Sequence, residues 1–170
     1  MDFLVEYAES DAKFTNAVYA RFRNPEFEEE LDKIKNEIDH ALAGVSDYRN
    51  RDSWGDAIFD VSYIVAEIKQ RAEQGHIRLA FAELELLYRK LLENFGYQGE
   101  CEITNETDDC IDIMYKIADK AVLAEDKDYI YRKCMELSKL EDGKDYGADY
   151  EDKLLEIAKK FVTPESRVNL

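Results

Sequence analysis

The stretch IRLAFAELELLYRKLLENF, residues 77–95, decides the fold class. Ile77, Ala80, Phe81, Leu84, Leu87, Tyr88, Leu91, Leu92 and Phe95 recur at steps of three and four, the spacing that collects side chains on one face of an α-helix. Leu79 and Leu86 widen that face. A helix apolar over so much of its circumference is expected at the centre of a fold, with neighbours on two sides.

The same spacing extends in both directions. Upstream, a helix over 53–74 buries Ala57, Ile58, Val61, Ile64, Val65 and Ile68, and Gly75 stops it. A polar loop at 47–51 separates it from a helix that Asn24 caps and Pro25 opens. That helix carries Phe27, Leu31, Ile34, Ile38, Ala41 and Leu42 in one stripe, has glutamates in its first turns, where the helix dipole favours anions, and ends near Gly44. Two shorter helices precede it, one with Phe3, Leu4, Tyr7 and Ala8, the other capped by Ser10 or Asp11 and carrying Phe14, Ala17, Val18 and Phe22. Downstream, 96–105 reads as an irregular connection. Thr107 then caps a helix that turns Ile111, Met114, Tyr115, Ala118, Ala121 and Val122 inward. A further helix over 127–140 buries Ile130, Cys134 and Leu137, and 142–148 is an acidic loop. The last helix holds Tyr150, Leu154, Ile157, Ala158 and Phe161 and stops at Thr163-Pro164, because proline disfavours helix in the residue before it.

The expectation is a single all-α domain over 1–170: about eight helices joined by short links, and so antiparallel to their neighbours, in an irregular helical-hairpin array or a compact bundle. No fixed period marks a strict repeat family. Because the helical pattern begins almost at once, the chain also reads as a C-terminal fragment of a longer protein. Seven glycines and two prolines among 170 residues are too few for the turns of an all-β fold.

The formal net charge is −16. Phosphate backbones and anionic lipid surfaces demand clustered lysine and arginine, so direct binding to nucleic acid or membrane is not expected. A basic protein partner would be attracted. No signal peptide or apolar run of about 20 residues is visible. Three cysteines, Cys101, Cys110 and Cys134, form no disulfide framework and point to reduced thiols in the cytoplasm.

Catalytic and metal chemistry find little footing. No cysteine or histidine pair has zinc-ligand spacing. Glu100, Glu102, Glu106, Asp108, Asp109 and Asp112 form one acidic cluster, and Glu141, Asp142, Asp145, Asp149, Glu151 and Asp152 another. A calcium loop over Asn105, Thr107 and Asp109 would need glycine where Cys110 stands and glutamate where Lys116 stands. No nucleophile elbow or phosphate loop occurs. His40 lies near a helix C-terminus, where the dipole accounts for it. The chain is therefore expected to be no enzyme and to hold no cofactor. Candidate partner contacts are Trp54 at a helix start, Asp108 and Asp109 in the first cluster, and Asp145, Tyr146, Asp149 and Tyr150 around the second.

Leu4-Val5-Glu6-Tyr7-Ala8-Glu9-Ser10-Asp11-Ala12-Lys13-Phe14, Asp108-Asp109-Cys110, Asp145-Tyr146-Gly147 and Val162-Thr163-Pro164-Glu165 resemble landmarks of an uncharacterised bacterial helical family. That family includes helical regions lying C-terminal to SWIM-type zinc fingers. Ala12 stands in place of its usual proline and Cys110 in place of its serine, and the zinc-binding cysteine and histidine pairs are absent. The resemblance implies helical architecture and an auxiliary interaction role beside a nucleic-acid module. The leading functional expectation is a non-enzymatic helical protein–protein interaction domain. The alternatives are an acidic decoy that binds basic nucleic-acid-handling proteins and a carboxylate–metal enzyme.

Overall fold

The computed structural model describes residues 25–45, 49, 59–94, 100–140 and 150–162. The chain divides into two units, Met1–Lys33 and Ile34–Leu170. The first is represented among the described residues by 25–33, a helical segment. Regular structure among the described residues is helical throughout: α1 (Pro25–Leu42), α2 (Ser62–Glu73), α3 (Ile77–Glu93), α4 (Glu100–Lys120), α5 (Ala124–Leu137) and α6 (Tyr150–Lys159). These are six of the roughly eight helices expected. The two expected before Pro25 lie outside the described residues.

Several boundaries moved, among them that of α5, which spans Ala124–Leu137 rather than 127–140. Of the helix expected over 53–74, residues 53–58 lie outside the described residues; α2 starts at Ser62, whose N–H the Asp60 carboxylate accepts at 2.9 Å. α4 begins at Glu100, so the irregular connection expected over 96–105 is helical from Glu100 on, and Thr107 is no cap. Ile103 is fully buried, which extends the apolar face a turn further than read. Thr107 is buried inside that helix, and its hydroxyl donates to the Ile103 carbonyl at 2.6 Å, one turn back. Gly75 ends α2 as expected. Its φ of +88° permits paired closing bonds, from Gly75 N–H to the Ala72 carbonyl (3.1 Å) and from His76 N–H to the Arg71 carbonyl (3.0 Å).

In the second unit α3 is central. It packs on α2, α4 and α5, and 11 of its 17 residues are buried, so three of its sides face protein. α4 also packs on α6 and α2, and α5 on α6. Sequence neighbours thus pack at α2–α3, α3–α4 and α5–α6, and helices two apart pack at α2–α4, α3–α5 and α4–α6. Two acids are buried within α3. Glu83 takes the Arg71 guanidinium from α2, which also holds Glu67 at 2.8 Å. Glu85 is held by Arg89 at 3.0 Å and by Lys133 of α5 at 3.2 Å.

Ion pairs record how alternate helices lie. Arg89 donates to Glu136 at 2.9 Å and Lys133 to Glu85, so contacts advance along α3 and α5 together and the two helices run in the same direction. Lys153 meets Asp108 at 2.9 Å and Lys160 meets Asp119 at 2.5 Å, which sets α4 and α6 in the same sense. Lys120 pairs with Glu73 between α4 and α2. These links span 41 to 48 residues of chain. The sequence carries a matching echo. Tyr88-Arg89-Lys90 with Glu93 in α3 returns as Tyr131-Arg132-Lys133 with Glu136 in α5, and Ile117-Ala118 with Lys120 and Val122 returns as Ile157-Ala158 with Lys160 and Val162. The two offsets are unequal, which hides any fixed period.

Candidate functional site

The turn from α4 to α5 is Ala121-Val122-Leu123. Ala121 is buried, whereas Val122 is 79% exposed and Leu123 57% exposed. Val122 was read as inward-facing. It lies past the end of α4, and the apolar stripe that α4 presents is already filled by Ile113, Met114 and Ile117. Tyr115 corrects in the same way: it is 38% exposed, beneath Lys160.

Beside Val122 and Leu123 lies an open cleft of about 300 Å³, lined by Ala72, Glu73, Gly75, Ile77, Lys120 and Asp126 as well. The α2–α3 corner supplies one wall, with Ala72, Glu73, Gly75 and Ile77. The α4–α5 corner supplies the other. The Lys120–Glu73 pair ties the two walls together.

Asp126 lies in the first turn of α5 with 9% of its surface exposed. Its carboxylate makes no hydrogen bond or ion pair among the described residues. Burial, then repulsion by Glu125, raises its pKa above the usual carboxylate range, and Arg78 partly offsets this. Arg78 itself stacks over the Tyr129 ring, 4.9 Å from its centre, and Tyr129 meets Phe81 edge-on at 6.5 Å.

Of the residues singled out from sequence, Trp54, Asp145, Tyr146 and Asp149 lie outside the described residues. Asp108 and Asp109 stand within α4 rather than at its start. Asp108 is half-buried and paired with Lys153, and Asp109 is exposed. Tyr150 is buried, edge-on to Tyr88 at 6.1 Å, and burial pushes its hydroxyl up to about 12. Its ring serves the core. The carboxylates from Glu106 to Asp112 are spread along a helix, and no group of three metal-ligating side chains converges among the described residues. Cys110 and Cys134 are buried free thiols; burial raises both, Cys134 to about 12, so neither is a nucleophile at neutral pH. No helix among the described residues is long and apolar enough to cross a membrane.

Sequence reasoning missed Leu123 and Asp126. The available signal was the unbroken run Ala121-Val122-Leu123-Ala124, since four consecutive apolar residues cannot all face one side of a helix.

Fold and cleft together define the class: an all-α protein with an acid-lined cleft at a corner. Compared with family models, with curated proteins and with solved structures, the chain matches none.

Proposed function

We propose that the chain is a non-enzymatic helical interaction domain, an array of helical hairpins that docks a basic protein partner at the α4–α5 corner. The observation that carries this reading is the exposed pair Val122–Leu123 beside a cleft with an apolar floor at Ala72 and Ile77. Apolar side chains held in water at a rigid corner gain free energy when a partner covers them. The formal charge of −16 steers a basic partner toward this surface. The resemblance to helical regions beside SWIM-type zinc fingers suits such an auxiliary role.

The test is capture from the source organism's lysate with immobilised wild-type chain and with a Val122→Asp/Leu123→Asp variant, each washed at low and high salt. A basic partner held by wild type through the high-salt wash, and lost from the variant, supports docking at the corner. Equal capture by both chains overturns it. A set of basic proteins that leaves both chains in salt favours the acidic-decoy reading, in which charge alone does the binding.

A further inference from the structure

We propose that Asp126 is the anchor for an arginine side chain of the docked partner, presented next to an apolar side chain that covers Val122 and Leu123. This rests on the docking reading above and adds the chemistry of the occupant.

The internal echo supplies the argument. When Tyr88-Arg89-Lys90 is laid on Tyr131-Arg132-Lys133, Glu83 of α3 falls on Asp126 of α5. Both are acids, both are buried, and both lie in the amino-terminal half of their helix. Glu83 has its cation, the Arg71 guanidinium delivered by the preceding helix. At the later position the preceding helix is α4, and its nearby cation, Lys120, is engaged with Glu73. Asp126 therefore repeats the acid without repeating the ion pair: Arg78, the guanidinium that acts on it, lies over the Tyr129 ring. Asp126 instead lines an open cleft.

Asp126 has 9% of its surface exposed, and a carboxylate held there without a hydrogen bond loses hydration that nothing replaces. An entering cation would offset it. A guanidinium fits better than an ammonium, because its planar fork can give two parallel N–H bonds to one carboxylate and it sheds its hydration more easily. The floor at Ala72 and Ile77 and the lip at Val122 and Leu123 would cover the stem of that arginine and an adjacent apolar side chain.

The experiment is a peptide array probed with the labelled full chain. Decapeptides pair leucine, phenylalanine or serine with arginine, citrulline or glutamate, one to four residues apart. Citrulline keeps the shape of arginine without its charge. Wild type, Asp126→Asn and Val122→Ser/Leu123→Ser are compared, with circular dichroism and melting curves as controls for folding. Wild type is expected to favour arginine over citrulline by about tenfold beside an apolar residue, and Asp126→Asn to reduce that preference to about twofold or less. If wild type binds apolar peptides but does not distinguish arginine from citrulline, or if Asp126→Asn keeps the full preference, the anchor is wrong while the docking cleft stands. If the Val122→Ser/Leu123→Ser variant binds as wild type does, or if no peptide binds, both readings fail.

Discussion

The α3–α4 hairpin and the α5–α6 hairpin share a sequence echo and a direction, yet they solve different problems. α3 is covered on three sides, so it needs apolar residues around most of its circumference and must hold its two buried acids, Glu83 and Glu85, with cations from α2 and α5. α5 buries only Asp126, Ile130, Cys134 and Leu137. Where α3 has buried Leu84, α5 has half-exposed Lys127. The difference teaches that the repeated motif, Tyr-Arg-Lys followed by Glu, records stacking between hairpins, whereas apolar content records how many neighbours each helix has.

The largest effect that would sharpen this contrast is at Arg71. Arg71→Met leaves the Glu83 carboxylate buried without its guanidinium, and chemical denaturation should show a loss of about 3–5 kcal/mol. Next, Leu84→Ala should cost about 2–5 kcal/mol, because the side chain is fully buried at the centre. Its counterpart, Lys127→Ala, should stay within about 0.5 kcal/mol. Equal losses at Leu84 and Lys127 would erase the distinction between central and peripheral hairpin.

Smaller effects follow at the edges. The Cys110 and Cys134 thiols should react with a thiol reagent in a Cys101→Ser variant only as fast as the protein unfolds, given their burial. Asp60, whose carboxylate is held below the usual range by its hydrogen bonds to Ser62, gives the α2 start a pH dependence. Its folded-state pKa lies below the unfolded one, so its contribution is complete above the unfolded value and fades as pH falls through the folded one. Asp60→Asn should therefore flatten the acid limb of the melting curve slightly. Asp126 has the opposite sign: a raised carboxylate opposes folding once ionised. Asp126→Asn should melt no lower than wild type at neutral pH.

Much of the architecture was legible in the chain. The central place of 77–95 followed from its wide apolar face, and the end of α2 from Gly75. Helix starts were harder to read. Thr107 has the chemistry of a cap, but its hydroxyl is satisfied one turn back inside α4, and only the buried Ile103 shows that the helix had already begun. The cleft was not legible. It forms where two corners distant in sequence meet, and its acid is distinguished by burial, which composition cannot report. The echo between hairpins escaped because its two halves are offset unequally.

The most direct measurement is photo-crosslinking in the source cells. A photoreactive residue is placed at position 122 in one chain and at position 63 in another, since Tyr63 is also an exposed large side chain, on α2. Docking at the α4–α5 corner predicts a discrete adduct with a basic protein from position 122 and none from 63. No adduct from 122, or the same adduct from both positions, would contradict it.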